Sequence, residues 1–272
     1  MQIILYGTRG SIPVCESEYR QYGGNTTCIF VRVRDCIFIL DAGTGIRNLG
    51  KELAKCKKTD CPNVFLGFSH FHWDHIQGFP FFLPAYDNSR EFTITTISRE
   101  AKFKNVKNIF KTQMRKEYFP IPLEKMGAQL NFLYEDSDNF SVDSINITTA
   151  EHNHPGGALS YRIEANGKSF VFCTDVEHGN SYDERVLELA DGADLLIHEG
   201  MYTKEEMIDR EGWGHSSWQQ AIEVAKLAKV KKLIITHHDP DHDDKFIRKQ
   251  EKLSKDLFDD VEFARDKMEI NI

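Results

Sequence analysis

Phe65-Leu66-Gly67-Phe68-Ser69-His70-Phe71-His72-Trp73-Asp74-His75 is the stretch on which the reading of the chain turns. It begins as a short apolar run closing at Ser69, the pattern of a buried strand. Three histidines and an aspartate then fall within six residues. Where a chain stays extended, alternate side chains point the same way, so His70 and His72 can grip one metal ion. Asp74 and His75 follow at a spacing that lets them turn to a second ion. Imidazole suits Zn, Mn, Fe and other transition metals, and the carboxylate adds hard oxygen. The bland alternative is a His-rich polar loop. Four ligand-type side chains directly after a buried strand argue against it.

The same arrangement recurs along the chain. Asp41 follows the apolar run Ile37 to Leu40, and Asp175 follows Phe170-Val171-Phe172-Cys173-Thr174. His198 and His237 close two further apolar runs, 193–197 and 232–236. Ligand sites gather at strand ends on one rim of an α/β scaffold, and a single site explains five such residues better than chance. Alternation and β-branched content predict strands at 2–6, 28–34, 36–40, 92–98, 129–134, 145–150, 158–165 and 169–174. Helices are expected at 46–56, 183–190, 217–229 and 244–257. Ser216 with Gln219, or Ser217 with Gln220, offers a capping box for the third of these. The loop Gly7-Thr8-Arg9-Gly10-Ser11-Ile12-Pro13 reads equally as an anion-facing turn or a plain connection.

The 272 residues suit a single domain spanning 1–272, without internal repeats or low-complexity stretches. Hydrophobic residues make up 40% and charged residues 28%, as in ordinary globular chains. A net charge of −8 argues against a nucleic-acid polymer as partner, since such binding rests on Lys and Arg neutralising phosphates. It leaves room for an anionic substrate held by metal ions. The six cysteines include Cys56 and Cys61, which lack the matching second pair of a zinc knuckle. The opening Met1-Gln2-Ile3-Ile4-Leu5-Tyr6-Gly7 reads as a first strand, not a signal peptide. No run approaches a membrane span, and a reducing, cytoplasmic setting is the expectation.

Two ions need more ligands than the opening motif provides. The candidates are His152 or His154, Asp175, and His237 or His238, with Asp175 best placed to bridge. Two such ions would lower the pKa of a shared water and clamp a phosphoryl or acyl oxygen.

The His-x-His-x-Asp-His pattern resembles the signature of the metallo-β-lactamase superfamily. From Gly7 to about Asp243 the chain is similar to its phosphodiesterase and tRNA 3′-end nuclease branch. The resemblance implies an α/β fold, a four-layer αββα sandwich of two mixed β-sheets. It implies two divalent ions, Zn2+ or Mn2+, with His154 joining His70 and His72, Asp175 bridging, and His237 joining Asp74 and His75. Relatives with lactamase or oxygen-reducing chemistry differ at the positions of Asp175, His75 or His72, so ester hydrolysis is the expected reaction. His198-Glu199 and Gly214-His215-Ser216 resemble motifs of the nuclease and phosphodiesterase branch. There the residue matching His215 contacts phosphate and protonates the leaving oxygen. Glu199 would orient His215, and Asp74, Glu199 and His215 form the expected catalytic set.

The tRNA nucleases carry a long flexible arm inserted in their second half, and this chain has no Gly/Pro-rich, basic insertion between Asp175 and His237 and only two strands' length between His154 and Asp175. A small phosphodiester, with a cyclic nucleotide leading, is therefore the expected substrate. A nuclease, a thioesterase-like hydrolase and a metal-bound sensor without catalysis are the alternatives. The basic, aromatic stretch 100–126 reads as an amphipathic lid that Phe110, Tyr118 and Phe119 would bring over the substrate. It would act from its own subunit or across the two-fold axis of a homodimer.

Overall fold

The computed structural model describes residues 1–57, 63–100, 103–179 and 181–272. Its strands alternate their apolar side chains between separate cores. All five residues of β3 (Cys36–Leu40) are buried. Ile37 and Ile39 enter one core, while Cys36, Phe38 and Leu40 enter another. In β12 (Leu233–Thr236), Ile234 joins that second core while Leu233 and Ile235 enter a third. A period of two that is apolar at every position is what a strand covered on both faces requires.

The first sheet runs in the order β14 (Met268–Asn271), β1 (Gln2–Gly7), β2 (Cys28–Val33), β3, β4 (Asn63–Gly67), β5 (Glu91–Ile97), β6 (Gln129–Glu135). The second runs β13 (Val261–Phe263), β12, β11 (Leu195–Glu199), β10 (Lys168–Cys173), β9 (Ala158–Ala165), β8 (Ile145–His152), β7 (Asn139–Val142). Both are mixed: β3, β4, β5 and β6 pair in parallel, as do β10 to β13, and the other neighbours are antiparallel. The chain builds six strands of the first sheet, crosses at 136–138 to build the second, and returns only for β14.

The second core lies between the sheets. On the outer face of the first sheet pack α1 (Ile46–Leu53) and α3 (Val106–Gln113), whose buried positions belong to the first core. On the outer face of the second lie α4 (Glu184–Ala190), α5 (Trp218–Leu227) and α6 (Asp244–Ser254). The four-layer αββα sandwich expected from the sequence is therefore the observed fold. A short helix, α2 (Trp73–Ile76), begins within the histidine motif. Among the described residues no helix is long and apolar enough to cross a membrane.

The expected elements differ in detail. Strand β7, four residues of alternating exposure, escaped the reading. Among the described residues of 100–126 only Val106–Gln113 is α-helical, followed by a 3-10 turn at Leu123–Lys125. Phe110 is fully buried, its ring centroid 5.0 Å from that of Phe68 and 4.3 Å from that of Phe79. It is core, and cannot close over a substrate as expected. Tyr118 is exposed, and Phe119 packs edge-on to the exposed Phe81. Of the two capping boxes offered, Ser217 and Gln220 form it. Cys61, Ala101 and Lys102 lie outside the described residues.

Candidate metal centre

The parallel strands of both sheets end at one rim, and the tight turns that follow them aim polar side chains into the seam between the sheets. Asp41 after β3, Asp175 after β10 and His237 after β12 all have left-handed backbone, with φ of 62°, 50° and 61°. Asp and His are among the few side chains that accept this region, which persists where the surroundings fix it. His70 and His72 lie in the turn after β4, and α2 turns Asp74 and His75 inward. His154 follows β8 and its Nδ1 donates to the Gly214 carbonyl at 2.7 Å.

Two groups result. Ligand atoms of His70, His72, His154 and Asp175 lie within 4.8 Å of one another, and so do those of Asp74, His75, Asp175 and His237. Asp175 belongs to both. Its Oδ2 lies 3.8 Å from Nε2 of both His70 and His154, while Oδ1 lies 3.2 Å from Nε2 of His75 and 3.3 Å from that of His237. One carboxylate oxygen thus faces each group, the disposition a bridging ligand needs. Nε2 of His70 and of His75 is buried without a hydrogen bond. Buried polar atoms are seldom left so, and a cation accounts for both. Imidazole nitrogens around a shared carboxylate suit divalent transition ions.

A second layer of contacts orients these groups. The Nδ1 of His75 donates to Oδ2 of Asp41 at 2.8 Å, which leaves Nε2 facing the site. Burial opposes charge on His75, but Asp175, Asp74 and Asp41 outweigh it and raise its pKa. The Gly7–Pro13 loop packs here: the Ser11 amide donates to Asp74 at 2.8 Å, and a Cβ on Gly10 would stand 2.5 Å from the His237 ring. Beneath it, the fully buried Arg9 donates to the Gly23, Asp239 and His242 carbonyls.

The alternatives left open by the sequence separate here. His152 directs one ring nitrogen to the Thr174 carbonyl and the other to Ser160, and burial pushes its pKa down to about 4. His238 donates to the Ala264 carbonyl. Neither joins the groups. His198 is also outside them: adjacent residues of β11 face opposite ways, and its ring meets His178 at 3.4 Å.

Glu199 points to the site. Its carboxylate accepts the backbone amides of Val176, Met201 and Ser216. The Nδ1 of His215 stands 3.6 Å from Glu199 and 3.9 Å from Asp175, and its ring stacks on His237 at 5.2 Å. Burial opposes a charged His215, but Glu199, Asp175 and Asp74 outweigh it and hold the imidazole up at about 9. A carboxylate held by three amides is fixed in place, which fits an orienting role beside His215.

A sequence profile of the family described as "Beta-lactamase superfamily domain" matches residues 37–238. The chain belongs to this superfamily. Among superfamily proteins, a ribonuclease Z of Thermoplasma acidophilum is 24% identical over 88% of this chain and 87% of its own. The human short-form tRNase Z has the same fold, with a TM-score of 0.73 at 18% identity, covering 100% of this chain and 99% of that one. A diphosphatase of the PhnP family gives 0.75 at 14% identity, covering 100% and 97%. The metallo-β-lactamase fold and the nuclease and phosphodiesterase branch read from the motifs agree with these relatives.

The structure thus brings together all nine expected residues: His70, His72, Asp74, His75, His154, Asp175, Glu199, His215 and His237. The reading missed what orients them. Asp41 was noticed only as a strand-end carboxylate, and its partner His75 is 34 residues away. Glu177, which binds the Gly212 and Gly214 amides at 2.6 and 2.8 Å, carries no sequence signal at all.

Proposed function

We propose that the protein is a metal-dependent hydrolase of small phosphodiesters, a cyclic nucleotide first among them. His70, His72, His154 and Asp175 hold one divalent ion, and Asp74, His75, Asp175 and His237 hold the other, Zn2+ or Mn2+. When bound, such ions acidify water and balance phosphoryl charge. His215 supplies the proton. Glu199 keeps Nδ1 protonated and turned inward, so Nε2–H is left to donate to the departing oxygen. The observation that carries this reading is the placement of His215, whose Nδ1 stands 3.6 Å from the Glu199 carboxylate and 3.9 Å from the shared carboxylate of Asp175.

Two features favour a small substrate. The net charge is −8. The connection from β11 to α5 folds back on the site instead of extending: the Tyr202 amide meets the Ser216 carbonyl, and the Trp218 amide meets that of Tyr202. The lid in this reading narrows to 115–122, where Tyr118 is exposed and Phe119 rests half-buried against the edge of the first core. A cytoplasmic homodimer, with that segment at or near its two-fold axis, completes it. The name ribonuclease Z carried by the relatives supports a second reading, a nuclease acting on RNA. The test is kcat/KM of the Mn and Zn forms on cyclic mono- and dinucleotides against single-stranded RNA and precursor tRNA. Superiority of the RNA substrates would overturn the small-diester reading.

A further inference from the structure

One arginine beside the site forms no ion pair among the described residues. Arg210 follows the 3-10 turn Glu206–Asp209. Its guanidinium carbon lies 4.7 Å from the ring centre of Tyr202 and 5.8 Å from that of Trp213. One terminal nitrogen donates to the Glu206 carbonyl at 3.1 Å. The Glu206 carboxylate itself is taken by His242 and the Thr203 amide, and the described residues give Arg210 no ion pair. Acidic residues neighbour it in sequence at Glu205, Asp209 and Glu211, and none of them is paired with it among the described residues.

The cage is continuous with the reacting centre. The Tyr202 ring meets that of His215 edge-on at 6.0 Å. Trp213 stands between Gly212 and Gly214, both at positive φ, and Glu177 clamps the amides of these two glycines. The Gly214 carbonyl holds His154. The turn that positions Trp213 therefore also positions a ligand-group histidine, and Trp213 is 59% exposed. A guanidinium lying over aromatic faces still presents a planar fork of N–H donors beyond the one spent on the Glu206 carbonyl, and that fork matches the oxygens of a phosphate.

We propose that Arg210, flanked by Tyr202 and Trp213, is a second anion subsite, and that the small diester carries a second phosphate that docks there. This rests on the phosphodiesterase reading above and names its substrate more closely: the scissile diester lies under His215 and the second phosphate one ring beyond.

The full-length Mn protein should be assayed on two p-nitrophenyl esters of thymidine 5′-phosphate, one with and one without a 3′-phosphate. The 3′-phosphate should lower KM about tenfold to a hundredfold, the worth of charged hydrogen bonds. Arg210→Gln should erase that advantage and leave kcat/KM on the simpler ester within about twofold. Arg210→Lys, which keeps charge but not the fork, should recover part of it. An equal loss on both esters, or no advantage in the parent protein, would overturn the subsite. Binding of thymidine 3′,5′-bisphosphate against thymidine 5′-phosphate, followed by tryptophan fluorescence, needs no turnover. An Arg210-dependent preference for the bisphosphate without hydrolysis of either ester would sink the phosphodiesterase reading and keep the subsite. An Arg210-dependent gain seen only with a single-stranded tetranucleotide would overturn the assignment to a small ligand.

Discussion

Asp175 faces both ligand groups with one oxygen each, so its loss should be felt twice. Asp175→Ala is expected to abolish turnover and to lower the metal content measured on the folded protein, with circular dichroism unchanged. Full activity in this variant would remove the two-ion assignment. Asp41→Ala is milder: His75 keeps its place but loses its orienting carboxylate, and metal affinity should fall about 10- to 100-fold in a chelator competition. His215→Ala should cost roughly 10² to 10⁴ in kcat on an alkyl diester and far less on a nitrophenyl diester, whose leaving group needs no proton. Equal losses on both would make His215 a positioning residue. At this scale the sequence was informative because ligands announce themselves as polar residues ending apolar strands. It failed at His198, where one residue of offset reverses the face of the strand. It was silent on the Asp41–His75 contact, which only the pairing of β3 with β4 creates.

Helix α3 shows how composition misleads at the scale of an element. The basic residues drew the reading toward a lid, while Val106, Phe110 and Met114, four residues apart, form the core stripe. Phe110→Ala should destabilise the fold by about 3–5 kcal/mol, whereas Tyr118→Ala should leave stability within about 0.5 kcal/mol. Urea titrations of the two variants check this, and a neutral Phe110→Ala would return the helix to the lid. The start of α5 was better marked, because its capping signal is local to the sequence. Ser217→Ala, which removes the bond to the Gln220 amide, should cost about 0.5–2 kcal/mol in the same assay. Strand β7 was illegible for the opposite reason: its four residues gain their strand identity from β8.

Over the whole molecule, acid stability should depend on Asp194, which joins β10 and the start of β12 by accepting from the Ser169 amide, Lys168 and Lys231. Burial pulls its carboxyl upward, but Lys231, the Ser169 amide and Lys168 outweigh this and hold it down at about 2. A lowered carboxyl contributes stability that is complete above the ordinary value of 3.8 and disappears as pH falls through about 2. Asp194→Asn should therefore be less stable than the parent at neutral pH, and the two urea midpoints should converge below pH 3.8. Parallel curves would exclude the carboxylate as the cause. The four layers were legible because each strand carries its own period, while the seam between the sheets was visible only as a list of strand ends. That seam has a further consequence. The chain crosses between sheets at 136–138, with His70, His72, Asp74 and His75 before the crossing and His154, Asp175, His215 and His237 after it. A gene divided at that crossing would encode two halves, neither owning a complete site, with the later half lending β14 to the earlier half's sheet. Co-expressed, the halves should be dormant apart and active together, so that turnover reports their encounter.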